Sequence, residues 1–186
     1  MKKICIFFIV ILITCYAHAL ILPSGEEIND AIVKYVYRDS SGRLLSCTIK
    51  EPVEIQTPSG KLKVRGMDWY GNGALRACSL DGEVKINTPV GELNPSEYIS
   101  WHENGALQSC NPIPAVQVKT SSGSFKIWGE IFWYNDGTFM GGILAENAVI
   151  EGTPYEKGTW VMWTKHGKFR GRMKYDWQTG EWSEAE

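Results

Sequence analysis

Five glycines, Gly42, Gly73, Gly105, Gly137 and Gly167, stand 31, 32, 32 and 30 residues apart, each inside the same local pattern. The pattern is nearly letter for letter in Trp69-Tyr-Gly-Asn-Gly73-Ala-Leu-Arg-Ala-Cys78 and Trp101-His-Glu-Asn-Gly105-Ala-Leu-Gln-Ser-Cys110. It is looser in the segments 37–47, 133–142 and 163–172. A period of this kind marks a repeat array, in which one supersecondary unit buries its apolar face only against its neighbours.

Asn72-Gly73, Asn104-Gly105 and Asp136-Gly137 are preferred pairs for a type I′ hairpin turn, with both central residues at φ > 0. Ser41-Gly42 and His166-Gly167 are weaker forms of the same signal. Between these hairpins recur Val53-Glu-Ile-Gln-Thr-Pro-Ser-Gly60, Val84-Lys-Ile-Asn-Thr-Pro-Val-Gly91 and Val116-Gln-Val-Lys-Thr-Ser-Ser-Gly123, alternating strands that run into Pro/Ser/Gly turns. One unit is therefore two hairpins. The expected fold is all-β: an elongated antiparallel meander of about five units, near 20–49, 50–80, 81–112, 113–145 and 146–177, followed by a C-terminal tail. A small propeller or closed barrel is the alternative, though 31 residues is short for a blade of ~40–45. The segment from Glu26 to Val36 is the one place where a short helix is expected.

The N-terminus reads as a signal peptide over residues 1–19. Lys2 and Lys3 give the positive region, Ile4 to Cys15 the apolar one, and Ala17-His18-Ala19 the cleavage site. The apolar run is short of the ~20 residues that span a bilayer, and no later stretch approaches that length. A periplasmic or secreted chain with no transmembrane segment is expected. Leu12-Ile13-Thr14-Cys15 also resembles a lipobox, which would make Cys15 a lipid anchor. Removing Lys2 and Lys3 from 19 basic residues leaves 17 against 21 acidic, a net charge of −4. That balance argues against a nucleic-acid partner.

The aromatic-x-x-Asn-Gly-x-Leu core of Trp101 to Leu107, with Gly141 and Gly171 trailing in later copies, resembles the MORN repeat, especially the variant of bacterial antitoxin-like repeat proteins. The likeness covers about ten residues per unit over residues 37–175. The period exceeds the ~20-odd residues of MORN units, and the Val-x-Ile-x-Thr-Pro element lies outside that motif. The resemblance implies an extended antiparallel sheet that contacts proteins or lipids, and it brings no catalytic residues.

Three features carry candidate chemistry. Cys47, Cys78 and Cys110 each follow their turn glycine by five residues, which predicts a ladder on neighbouring repeats. The ladder is read first as packing by a small apolar residue, with a disulfide plus one free thiol, or a thiolate metal site, as alternatives. Trp69, Trp101, Trp133 and Trp163 form a second series, read as core ribs, or as an exposed row for sugar rings. In the last copy His166, Lys168, Arg170, Arg172 and Lys174 alternate with Gly167, Phe169, Gly171, Met173 and Tyr175, which predicts a cationic stripe on one strand face. Such a stripe either caps the array or reads an anionic lipid, glycan or acidic protein surface.

Only His102 and His166 remain after residue 19, and no catalytic or phosphate-binding motif is present. The expected function is non-enzymatic: an envelope protein, without cofactor or metal, that binds or scaffolds a macromolecular partner. A carbohydrate-binding module or carbohydrate-active enzyme using the tryptophan row is the alternative.

Overall fold

Each repeat glycine sits in the left-handed region, at φ +80° to +88°, and each turn has the same two backbone bonds. In the second copy Gly73 N–H donates to the Tyr70 carbonyl and Tyr70 N–H to the Ala74 carbonyl, both at 2.9 Å. Asn72, Asn104 and Asp136 are not at positive φ among the described residues. The turns are therefore not type I′. They are three-residue loops, a type I turn followed by a left-handed glycine. The Asn or Asp before the glycine acts through its side chain: Asn72 Oδ1 accepts Ala74 N–H at 2.9 Å, Asn104 Oδ1 accepts Ala106 N–H, and Asp136 Oδ1 accepts Thr138 N–H.

The computed structural model describes residues 19–176 and 181–184. Strands β1 (Ala19–Ile21) and β2 (Glu27–Asn29) lead through a single 3-10 turn, Asp30–Ile32, into β3 (Val33–Arg38), and this turn is all that forms where a short helix was expected. Then come β4 (Leu44–Thr57), β5 (Gly60–Trp69), β6 (Leu75–Leu80), β7 (Ile86–Thr88), β8 (Gly91–Leu93), β9 (Pro95–Trp101), β10 (Leu107–Pro112), β11 (Val116–Thr120) and β12 (Gly123–Trp133). The series ends with β13 (Phe139–Leu144), β14 (Ala148–Ile150), β15 (Thr153–Tyr155), β16 (Trp160–Trp163), β17 (Phe169–Asp176) and β18 (Glu181–Glu184).

Twelve strands form one open antiparallel sheet, in the order β18-β17-β16-β13-β12-β10-β9-β6-β5-β4-β3, with β11 paired to the first part of β12. The sheet does not close into a barrel, and the order is a meander rather than a set of propeller blades. The expected signal peptide, with the Cys15 anchor, lies almost wholly outside the described residues.

Short hairpins alternate with the sheet hairpins: β1–β2, the ends of β4 and β5, β7–β8, β11 with the start of β12, and β14–β15. They give Leu20, Ile28, Ile55, Leu62, Ile86, Leu93, Val118, Phe125 and Ile150 to the same buried cluster as the sheet tryptophans. A second layer of hairpins thus covers one face of the sheet.

The tips of these hairpins reach over the array. A methyl group placed on Gly73 would meet Pro23 Cβ at 3.4 Å, one on Gly105 Pro58 Cβ at 3.7 Å, and one on Gly137 Pro89 Cγ at 3.4 Å. Ser121 Oγ donates to the Gly167 carbonyl. Each of these four tips therefore rests on the turn of the following unit. Adjacent turns are also stitched directly: Tyr70 Oη donates to the Trp101 carbonyl at 2.8 Å and Tyr134 Oη to the Trp163 carbonyl at 2.9 Å, while His102 Nε2 lies 2.9 Å from the Trp133 carbonyl.

Candidate functional site

In each of the five sheet hairpins that carry a repeat glycine, the returning strand has one extra residue. Trp69 pairs with Leu75 but Asp68 with Ala77; Trp101 pairs with Leu107 but Ser100 with Ser109; Trp133 pairs with Phe139 but Phe132 with Gly141. Arg38 pairs with Leu44 but Tyr37 with Ser46, and Trp163 with Phe169 but Met162 with Gly171. Leu45, Arg76, Gln108, Met140 and Arg170 are thus bulge residues at the repeat period. Each bulge resets the alternation, so that Leu75 and Cys78, an odd number of residues apart, face the same way.

Two unbroken rows follow, one on each face. The inner row runs Val36, Cys47, Met67, Cys78, Ile99, Cys110, Ile131, Gly142, Val161, Arg172. Its cysteines occupy alternate strands, with Met67 and Ile99 between them. Two strand spacings of ~4.8 Å separate their backbones by about 9.6 Å, beyond the ~4.4–6.8 Å of a disulfide. This overturns the disulfide alternative, and all three thiols are free and buried. Burial raises the Cys47 thiol to about 11, and those of Cys78 and Cys110 to about 12. The fourth copy has Gly142 at this position because a Cβ there would lie 2.5 Å from Ile127 Cγ2.

The tryptophan row is core: Trp101 and Trp133 are 0% exposed and Trp163 1%. An exposed aromatic ladder for sugar rings is therefore ruled out for these residues. Trp101 Nε1 donates to Ser59 Oγ at 2.9 Å and Trp163 Nε1 to Ser122 Oγ at 3.3 Å. Trp133 Nε1 is buried without a partner. The corresponding tip residue is Val90, which has no hydroxyl to offer.

The outer row runs Tyr37, Ser46, Asp68, Ala77, Ser100, Ser109, Phe132, Gly141, Met162, Gly171, across ten strands. Beside it lie Tyr35, Thr48, Gly66, Ser79 and Tyr98 towards one end, and Trp128, Ile143 and Trp160 towards the other. No hairpin layer covers this face among the described residues. Tyr35, Tyr37, Tyr98 and Trp128 are exposed on it. Its centre is polar but closed to solvent: Ser100 and Ser109 are buried, as are Ala77 and Met162, the two serine hydroxyls are 2.8 Å apart, and Ser109 Oγ donates to Glu130 Oε1 at 2.8 Å. Burial, with Asp68 nearby, raises the Tyr98 phenol above its ordinary value. Near the far end the Phe132 and Trp160 ring centroids are 5.6 Å apart. Small side chains lie between exposed aromatics around a polar centre, a surface suited to a broad partner rather than to a small molecule.

The cationic series is divided by the bulge. His166 lies in the turn, and Lys168, Arg170, Arg172 and Lys174 are exposed. Arg172 pairs with inward-facing Val161, and Lys174, two residues on, shares its side. Phe169 pairs with inward-facing Trp163, so Lys168, its neighbour, lies on the other side. The extra residue at Arg170 breaks the two-residue period, and the expected single-faced stripe becomes two pairs. None of the five side chains has an ion pair among the described residues.

Neither the outer row nor the bulge series was read from the sequence. The odd interval between the Leu and the Cys of the first three copies is the available signal for the bulge. No family model matches this chain, and neither does any curated protein or solved structure.

Proposed function

We propose that this chain is an exported, non-enzymatic repeat protein that binds a macromolecular partner in the cell envelope across the open face of its sheet. One observation carries the reading: one face of the sheet packs against a hairpin layer, while the other presents Tyr35, Tyr37, Tyr98 and Trp128 to solvent. Large aromatics cost solubility when exposed and are favoured where a partner covers them. The N-terminal residues 1–19, with their apolar run and small-x-small end, support export. The MORN-like pattern supports a contact surface rather than a reaction centre.

The test uses the chain in the cells that make it, with a photo-cross-linking residue in place of Tyr98 or Trp128, and in a control in place of Asn104 on the turn ridge. The same partner should be trapped from Tyr98 and Trp128 and not from Asn104. Recovery of that partner with the unmodified chain should fail for the Tyr98→Ser, Trp128→Ser double variant. Equal trapping from Asn104, or unchanged recovery with the double variant, would refute the reading.

A further inference from the structure

We infer that strand β3, at the N-terminal edge of the sheet, accepts an added strand from a partner protein: an extended, acidic segment with small side chains. This goes beyond the open-face reading, since it concerns the edge of the sheet and does not require the face to be occupied.

The repeat itself shows what fits there. The first strand of every later sheet hairpin is flanked by the last strand of the preceding one. Gly66-Met67-Asp68 is covered by Ser46-Cys47-Thr48, Tyr98-Ile99-Ser100 by Ala77-Cys78-Ser79, and Trp160-Val161-Met162 by Gly141-Gly142-Ile143. Tyr35-Val36-Tyr37 occupies the same rows as Tyr98-Ile99-Ser100, but among the described residues β3 pairs only with β4. Tyr35 and Tyr37 are each 65% exposed and Val36 43%. The adjoining turn lacks its cover as well. The later turn glycines have a hairpin tip against them, whereas Gly42 has nothing within 4 Å. The first unit is built like its successors, but among the described residues neither a flanking strand nor a tip lies against it.

Charge and geometry select the occupant. The strand Val33-Lys-Tyr-Val-Tyr-Arg38 has two cations and no acid, so an acidic segment is complementary. A second copy fits poorly in either arrangement. Antiparallel pairing of β3 with itself about Val36 would set Lys34 opposite Arg38 twice, and like charges directly opposite are destabilising. Head-to-tail addition onto β17 in the repeat register would set Lys34 opposite Lys174 and Val36 opposite Arg172, and β18 is already paired along Met173 to Asp176. Strand addition from a foreign chain meets neither obstacle.

The test uses the chain without residues 1–19 and two blocked peptides. Both carry the Leu75–Leu80 sequence, one flanked at each end by two glutamates and the other by two lysines. Amide hydrogen exchange within residues 33–38 should slow with the Glu-flanked peptide, by about ten-fold or more at saturation, and the effect should weaken as salt screens the charges. The Lys-flanked peptide should give little protection.

Successive strand amides point to opposite sides, so of Val36→Pro and Tyr37→Pro one removes an outward amide and the other a bond to β4. The variant that keeps the wild-type melting temperature should lose peptide protection. Equal protection by both peptides, protection confined to the strands around Tyr98 and Trp128, or none at millimolar peptide would overturn the inference. So would concentration-dependent self-association that the Glu-flanked peptide abolishes, because the edge would then belong to a second copy.

Discussion

The same ten strands present two faces with opposite fates. On the inner face the row from Cys47 to Val161 is drawn into a continuous core with the tryptophans, and its side chains are Cys, Ile, Met and Val with one Gly. The outer face has Ser, Ala, Gly and Thr along much of its length, with aromatics standing clear at intervals. An array that needed only to be stable would cover both faces or make the second uniformly polar. The difference teaches that the inner row sets stability while the exposed aromatics of the outer face, Tyr35, Tyr37, Tyr98 and Trp128, are free for recognition, so substitutions on the two sets should separate cleanly.

The largest break comes from the core side. Trp101→Ala removes a fully buried side chain with its bond to Ser59 and should cost about 3–5 kcal/mol in denaturant unfolding. Tyr35→Ala, on the outer face, should change stability by no more than about 0.5 kcal/mol. Similar losses for the two would dissolve the distinction between the faces.

Next is the turn that links the faces. Gly105→Val places a β-branched residue at φ +81° and crowds Pro58, and should cost more than about 1 kcal/mol. Gly71→Ala, which has neither a positive φ nor a neighbour within 4 Å, is the matched control and should melt as wild type does. Gly129 is not a neutral control, because its φ is +66°.

The thiols sharpen the comparison through pH. Their folded values lie above the ordinary 9.0, so the unfolded chain releases these protons first as pH rises. Their contribution to stability is intact below about pH 9 and declines as pH climbs towards 11 and 12. Unfolding at pH 8 and pH 10 should show a smaller alkaline loss in Cys78→Ala than in wild type, whatever the offset at pH 8. Thiol titration of the chain without residues 1–19, denatured but unreduced, should count three.

The smallest effect runs the other way. Val90→Ser would give Trp133 Nε1 the acceptor that Ser59 and Ser122 provide to its counterparts, and should stabilise by about 0.5–1.5 kcal/mol. A loss of stability would mean that the Val90 side chain packs better than the missing bond would serve.

What could be read in the sequence follows from what is local. A glycine forced to positive φ, an Asn whose side chain closes the turn, and an aromatic one strand away all lie within a few residues of one another. The period and the two-hairpin unit were therefore visible. The bulge was encoded too, in the three-residue step from Leu75 to Cys78, but the type I′ reading hid it by assuming a straight return strand. The approach of Pro23 to Gly73 or of Pro58 to Gly105 joins residues 50 and 47 apart and leaves no mark in any short window. The outer row escaped because its members are small and unlike one another, and gain meaning only when ten strands align them.

The reach of each hairpin tip onto the next unit's turn makes the molecule a shingled roof, and a roof sheds load in one direction. Pulled from its N-terminal end, the first tip to lift is that of Pro23, and its removal exposes the Gly73 turn beneath. Pulled from the C-terminal end, the hairpin around Gly167 must slide out from under Ser121. Under tension the two ends should therefore yield at different forces. Each step should release one unit of 31 or so residues, roughly 100 Å of extended chain. Where ordinary repeat arrays peel alike from both ends, this one has a grain, and anything anchored to one terminus would feel it.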